Sequence, residues 1–119
     1  LTVAMGLTRE QYVTLLPKSV TTAISMDVAA ELGGIAALTG AIVILTGIAG
    51  NLLAEVVCKI FHITDPIAKG VGIGTSAHAV GTSKALQMGE VEGAMSGLSI
   101  AVAGVLTAVL CPFFVSFIQ

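Results

Sequence analysis

The sequence predicts an all-α, polytopic membrane protein with broken or half helices, and three observations lead to this fold class. Hydrophobic residues make up 55% of the 119 residues and charged residues only 10%, and the mean hydropathy is +1.03. Soluble domains carry about 25% charged residues, and a chain this short cannot bury so much apolar area in one core. Two long segments contain no charged residue, and the segment between them is rich in glycine and hydroxyl side chains.

The two charge-free segments are residues 32–54 and 93–119. As helices they would be about 34 and about 40 Å long, enough to cross a hydrocarbon core of about 30 Å. We therefore predict membrane spans over residues 35–57 and 91–118, with Pro112 kinking or ending the regular part of the second. The expected surroundings are a lipid bilayer, and a soluble enzyme is not expected.

Composition also bears on ligands. A net charge of -2, no basic patch, one Tyr and no Trp offer little to a nucleic acid. The two cysteines and two histidines have no metal-ligand spacing, so we expect neither a metal site nor a cofactor. Cys58 and Cys111 lie at the ends of apolar runs and are expected to act as small apolar side chains.

Two shorter helices are predicted before the first span. Thr8 and Gln11 fit a capping box at the start of a short interfacial helix. Pro17 suits the first turn of a second helix that Gly33 and Gly34 end. The residues before Thr8 read as the tail of an earlier apolar helix, so we expect that residues 1–119 form one membrane region of a longer parent protein.

The segment over residues 66–88 is expected to be a broken helix. Asp65 and Pro66 are typical of a helix start. Four glycines follow, and glycine weakens a continuous helix. We predict two half-helices with an unwound or closely packed stretch near residues 74–81. A break of this kind is tolerated at membrane depth only where protein or a water-filled cavity surrounds it.

Two clusters of hydroxyls beside a lysine echo each other along the chain, one at residues 18–22 and one at residues 75–84. Each lies near a helix start or break and precedes a charge-free span. Inverted-repeat transporters place their sites on paired broken helices, so the pattern predicts one half of an inverted-repeat, transporter-like fold. Half of such a fold needs a partner, and we expect copies of the chain to pair as a homo-oligomer.

Three stretches resemble a known family: LPKSVTTAISMDVAAELGG, DPIAKGVGIGTSAHAVGTSKA and GEVEGAMSGLSIAVAGVLTA. They are similar to the C-terminal half of LrgB-type membrane proteins, which include bacterial antiholin-like proteins and the plastid glycolate/glycerate translocator. The resemblance extends from about Leu15 to Pro112. One departure is Ala23, where the family often has Pro.

This resemblance implies a multi-pass protein of the bacterial cytoplasmic membrane. It implies transport or export of small carboxylates of the pyruvate, glycolate and glycerate class, often with a small LrgA-type partner protein. The alternative that it implies is an antiholin-like regulator of murein hydrolase export and cell lysis. No single residue of the chain distinguishes these two roles.

A small carboxylate in lipid needs positive charge and hydrogen-bond donors, and helix N-termini supply both. We predict that both hydroxyl clusters bind substrate. For Lys18 the alternative is a lysine that reaches the interface while the neighbouring hydroxyls cap backbone groups. The predicted substrate-binding residues are Lys18, Ser19, Thr21, Thr22, Thr75, Ser76, His78, Thr82, Ser83 and Lys84.

Two residues are candidates for ion or proton coupling. His78 could titrate near neutral pH, as a substrate contact or proton carrier, or it could instead bond across helices for packing. Asp27 lies four residues before Glu31 on the same predicted helix. The two carboxyls repel each other, so they face water, or one is protonated or paired with a lysine such as Lys84.

Overall fold

The computed structural model describes residues 6–116, and all regular secondary structure in this part of the chain is helical. Five helices follow one another here, so the predicted all-α class is confirmed. The expected tail of an earlier helix in the first five residues and the expected end of the last span at residue 118 lie outside the described residues. The helices are α1 (Arg9–Leu15), α2 (Thr22–Glu31), α3 (Ala36–Ile60), α4 (Pro66–Met88) and α5 (Glu90–Val115).

The capping box at the start of α1 is confirmed. The Gln11 backbone N–H donates to Thr8 Oγ1 over 3.3 Å, and the Thr8 N–H donates to Gln11 Oε1 over 3.0 Å.

The predicted helix start at Pro17 is wrong, because α2 begins five residues later, after an extended Thr21. Ser25 Oγ donates to the Pro17 carbonyl over 2.6 Å and holds residues 17–20 as a turn.

Helices α3 and α5 are 25 and 26 residues long and apolar enough to cross a membrane, as the two charge-free segments predicted. Only 22% of the most apolar window of each helix is buried within the chain. Leu45, Leu52 and Val105 are each about two-thirds exposed, at 66%, 71% and 66%. A soluble core helix would be covered, so these faces suit a lipid environment.

Pro112 does not end α5, which continues for three residues to Val115. Ending the regular helix at this proline was therefore the wrong alternative. A proline removes the hydrogen bond that its own N–H would donate, and here that loss falls close to the end of the helix. The described residues show α5 as one element from Glu90 onward.

Helix α4 is a hairpin of two helical arms. His78 has non-helical angles, φ 41° and ψ -138°, inside an otherwise helical segment. Gly70 and Leu86 would lie about 24 Å apart in a straight helix, yet they pack against the adjacent residues Glu92 and Gly93 of α5. The chain therefore reverses direction at His78. We call residues 66–77 the first arm, His78 the tip and residues 79–88 the second arm.

Both ends of the hairpin lie on the same side of the molecule. Lys69 near its start and Met88 at its end line one pocket of about 310 Å³ beside His62, which follows the end of α3. Ile73 of the first arm and Ala85 of the second share an apolar cluster with Ala54. The hairpin therefore enters from the α3–α4 loop, runs along α3 and returns. The two predicted half-helices are confirmed.

Glycines allow the hairpin to lie closely against its neighbours. A side chain at Gly50 of α3 would overlap Ala77 just before the tip, and one at Gly74 would overlap the Ser96 backbone of α5. Small residues permit this approach between helices in lipid. The hairpin therefore packs against both long helices, and its tip lies beside the middle of α3. That the chain forms one half of an inverted repeat stays a prediction.

Candidate functional site at the hairpin tip

The side chain of His78 is buried at the tip, with 2% of its surface exposed. Its Nε2 lies 2.9 Å from the Val43 carbonyl of α3. Because a carbonyl can only accept, Nε2 donates, and this fixes the tautomer of a neutral ring. A Cβ at Gly47 would lie 2.7 Å from His78 Cε1, so the glycine provides the space that the imidazole fills.

One polar side chain from each long helix forms a hydrogen bond next to the tip. Asn51 Nδ2 of α3 donates to the Val80 carbonyl over 2.8 Å. Thr82 Oγ1 donates to the His78 carbonyl over 3.0 Å and lies 2.7 Å from Ser96 Oγ of α5. These contacts are what a break at membrane depth requires, because lipid offers no hydrogen bonds. Asn51 and Ser96 were not predicted for this site. The available signal was that each is a polar side chain within an otherwise largely apolar, charge-free segment.

The start of α2 contacts the same face of α3. A Cβ at Gly40 would lie 3.6 Å from Thr22 Cγ2. Gly40, Val43 and Gly47 have the spacing i, i+3, i+7, which places them on one face of a helix. Thr22 lies beside Gly40, and the His78 imidazole contacts Val43 and Gly47. The two contacts on α3 are therefore about 4.5 to 10.5 Å apart along its axis, the rise of three to seven residues. The structure thus places one residue of the first cluster, Thr22, on the same face of α3 as His78 of the second cluster.

Two helix N-termini lie along this face of α3. One is the start of α2, where Thr21 is the N-cap residue and its side chain makes no capping hydrogen bond. The other is the start of the second arm, directly after His78. First-turn N–H groups carry partial positive charge and lack partners within their own helix. The arrangement can therefore offer hydrogen-bond donors to an anion.

Three predicted site residues of α4 point away from this face. Thr75 Oγ1 donates to the Val71 carbonyl over 2.7 Å, and Ser76 Oγ donates to the Gly72 carbonyl over 2.6 Å. Both hydroxyls are exposed and bonded within the first arm, and Ser83 is exposed on the second arm. The structure thus separates them from His78 and Thr82, which point inward.

The predicted charged residues also separate. Lys84 Nζ lies 2.6 Å from Glu55 Oε1 of α3. Lys18 is exposed, and its Nζ bonds Ser19 Oγ over 2.8 Å. Asp27 and Glu31 are both exposed on α2, which fits the alternative in which they face water. Lys84, the lysine suggested as their partner, instead pairs with Glu55. Glu55 was not predicted as a site residue.

This fold and site define a helical membrane protein in which a helical hairpin packs beside two helices of spanning length. The chain belongs to the LrgB-like family, whose family model matches residues 1–117.

Relatives agree with this membership. The chain is 44% identical over 103 residues to the uncharacterized protein YwbG of Bacillus subtilis, covering 87% of the chain and 46% of that protein. It is 39% identical over 115 residues to the antiholin-like protein LrgB of Bacillus mycoides and to that of Bacillus cereus, covering 97% of the chain and 50% of each relative. The chain thus spans about half the length of these curated relatives. No solved structure matches it.

Proposed function

We propose that the full-length protein carries small carboxylates of the pyruvate, glycolate and glycerate class across the bacterial cytoplasmic membrane. The anion would bind between the hairpin tip and the start of α2. One observation supports this most strongly: two helix N-termini and a buried histidine lie along one face of α3, between Gly40 and Gly47.

The chemistry of a carboxylate fits this place. Free N–H groups in the first turns of α2 and of the second arm can bond its oxygens, and both helix dipoles favour negative charge. The hydroxyls of Thr21 and Thr22 add neutral donors at the same end of α2. Transporters with discontinuous helices direct half-helix N-termini at substrate carboxylates in this way. No fully charged side chain is then needed in contact with the anion.

His78 is the favoured candidate for proton coupling. Its Nε2 is engaged with the Val43 carbonyl, so Nδ1 is the atom that could take up a proton. An imidazolium at the tip would attract the anion, and its deprotonation would weaken binding. Asp27 is the second candidate, because its exposed carboxyl lies within the first two turns of α2.

A second candidate function is antiholin-like control of murein hydrolase export and cell lysis, with an LrgA-type partner protein. Its support is the name antiholin-like protein LrgB that the relatives at 39% identity carry. Lipid-facing helices such as α3 and α5 could also contact a partner or a second copy. A transport-inactive variant separates the two functions, because a regulator would still correct the lysis phenotype of a deletion strain.

Uptake of labelled pyruvate, glycolate and glycerate by proteoliposomes containing the full-length protein tests the proposal. Thr21→Val and Thr22→Val keep the side-chain shape and remove the hydroxyl. Loss of one such hydrogen bond should reduce uptake roughly tenfold. Thr46→Val is the matched control, because the Thr46 hydroxyl donates to Ile42 of its own helix over 2.8 Å. The proposal fails if the unmodified protein transports no short carboxylate.

A further inference from the structure

An ion pair connects the second arm of the hairpin to α3. Lys84 Nζ lies 2.6 Å from Glu55 Oε1, and the Lys84 side chain is 22% exposed. The other ion pair in the described residues, Glu55 with Lys59 at 3.8 Å, lies within α3 and involves a lysine that is 80% exposed. Glu55–Lys84 is thus the only ion pair between two helices in residues 6–116.

Glu55 lies five residues before the end of α3, and its side chain is 43% exposed, while the Lys84 side chain is less exposed. An ionisable group in or next to a membrane-spanning segment is usually paired or functional. The adjacent Ala85 is fully buried, against Ala54 of α3 and Ile73 of the first arm. Lys84 and Ala85 together hold the second arm along α3 by one polar and one apolar contact.

The position of this pair relative to the tip indicates its role. Lys84 lies six residues, or about 9 Å, from His78 along the second arm. The contacts Asn51–Val80 and Glu55–Lys84 are four residues apart on both helices, so the arm runs beside α3 in register. The N-terminus of this arm is one of the two that face the proposed anion site. An arm detached from α3 would swing about the tip and turn its N–H groups away.

We propose that Glu55 and Lys84 are positioning residues for the anion site. Their ion pair fixes the second arm on α3, and Lys84 does not itself contact the substrate. This inference rests on the proposed transport function. It differs from the prediction from sequence, in which Lys84 was a substrate ligand.

The test uses the full-length protein in proteoliposomes, with KM and the maximal rate measured for pyruvate uptake. Glu55→Gln and Lys84→Met each break the pair and should raise KM up to about fivefold, the upper end of the coupling that partly exposed ion pairs show. The charge exchange Glu55→Lys with Lys84→Glu restores an ion pair of opposite polarity and should return KM to within about twofold of the original value. Lys59→Met is the matched control and should leave KM unchanged.

A second measurement reports on the arm independently of transport. A nitroxide label on Gln87→Cys, exposed on the second arm, should gain mobility in the Glu55→Gln and Lys84→Met proteins. Its mobility should return to the original level in the charge-exchanged protein. The background replaces Cys58, Cys111 and any cysteine in the rest of the full-length protein by alanine, so that one site carries the label.

Each outcome decides between the alternatives. Restored KM and restored immobility in the charge-exchanged protein support the positioning role. If the charge-exchanged protein has an immobile label but a KM as high as that of Lys84→Met, Lys84 contacts the substrate. This result would overturn the positioning role. A label that the single variants leave immobile also overturns it. If the label gains mobility in the single variants but the unmodified protein takes up no pyruvate, the transport proposal is rejected. The role of the ion pair in holding the second arm is then retained.

Discussion

The imidazole of His78 bonds the backbone carbonyl of Val43 over 2.9 Å, across 35 residues of sequence. This bond ties the tip of the hairpin in α4 to the middle of α3. The helix in which His78 lies changes direction at that residue, so one side chain both ends the first arm and fixes where it ends. The predictions below test the hairpin, its tip and the packing that holds it.

Both ends of the hairpin lie on one side of the molecule, so we expect them on the same side of the membrane. In a background with Cys58 and Cys111 replaced by alanine, Thr64→Cys and Glu90→Cys should react with an impermeant maleimide from the same side, because both are exposed at the two ends of α4. Glu31→Cys, before α3, should react from the opposite side. Labelling of Thr64→Cys and Glu90→Cys from opposite sides would mean that α4 is a straight span.

The space at Gly47 is needed by the tip. A Cβ there would lie 2.7 Å from His78 Cε1 and 2.9 Å from Val80 Cβ. Overpacking of this kind costs about 1–3 kcal/mol, so Gly47→Ala should lower the thermal unfolding midpoint of the protein in detergent. Gly97→Ala is the control, because no atom lies within 4 Å of a Cβ at Gly97. Equal midpoints for the two variants would contradict the close packing of the tip.

The backbone at His78 favours glycine over bulky side chains. Its φ of 41° lies in a region that β-branched residues avoid, and strain of this kind costs about 1–3 kcal/mol. His78→Gly and His78→Val both remove the imidazole, but the valine protein should unfold at the lower temperature. Both should lose uptake if His78 has its proposed role. A valine protein as stable as the glycine protein would show that the chain does not reverse at this residue.

Asn51 bonds the Val80 carbonyl just after the tip, and lipid offers no replacement. Its Nδ2 donates to that carbonyl over 2.8 Å. Asn51→Leu removes this donor from a part-buried hydrogen bond, and the loss should cost about 1 kcal/mol. We expect a lower unfolding midpoint in detergent, measured by size-exclusion chromatography after heating. Thr46→Val, which removes a hydroxyl bonded within its own helix, should change the midpoint less. The reverse order would argue against the contact.

Local features of the sequence determined where most helices start and what solvent surrounds them. The charge-free segments predicted α3 and α5, because a helix of that length and composition requires lipid on its outer face. Thr8 with Gln11 and Asp65 with Pro66 marked two helix starts correctly, because a cap depends only on residues within one turn. The glycines of α4 predicted a break, because glycine weakens a helix in any context.

Tertiary structure decided how the elements meet. The same glycines would suit a kinked span or a hairpin. Which of the two forms depends on hydrogen-bond partners that are distant in sequence. These are the Val43 carbonyl for His78, Asn51 for the Val80 carbonyl and Ser96 for Thr82. The late start of α2 follows from the bond of Ser25 to the Pro17 carbonyl, and the partner of Lys84 is Glu55, 29 residues earlier. Long-range pairing of this kind has no local signature, because it arises only when the packed helices bring those side chains together.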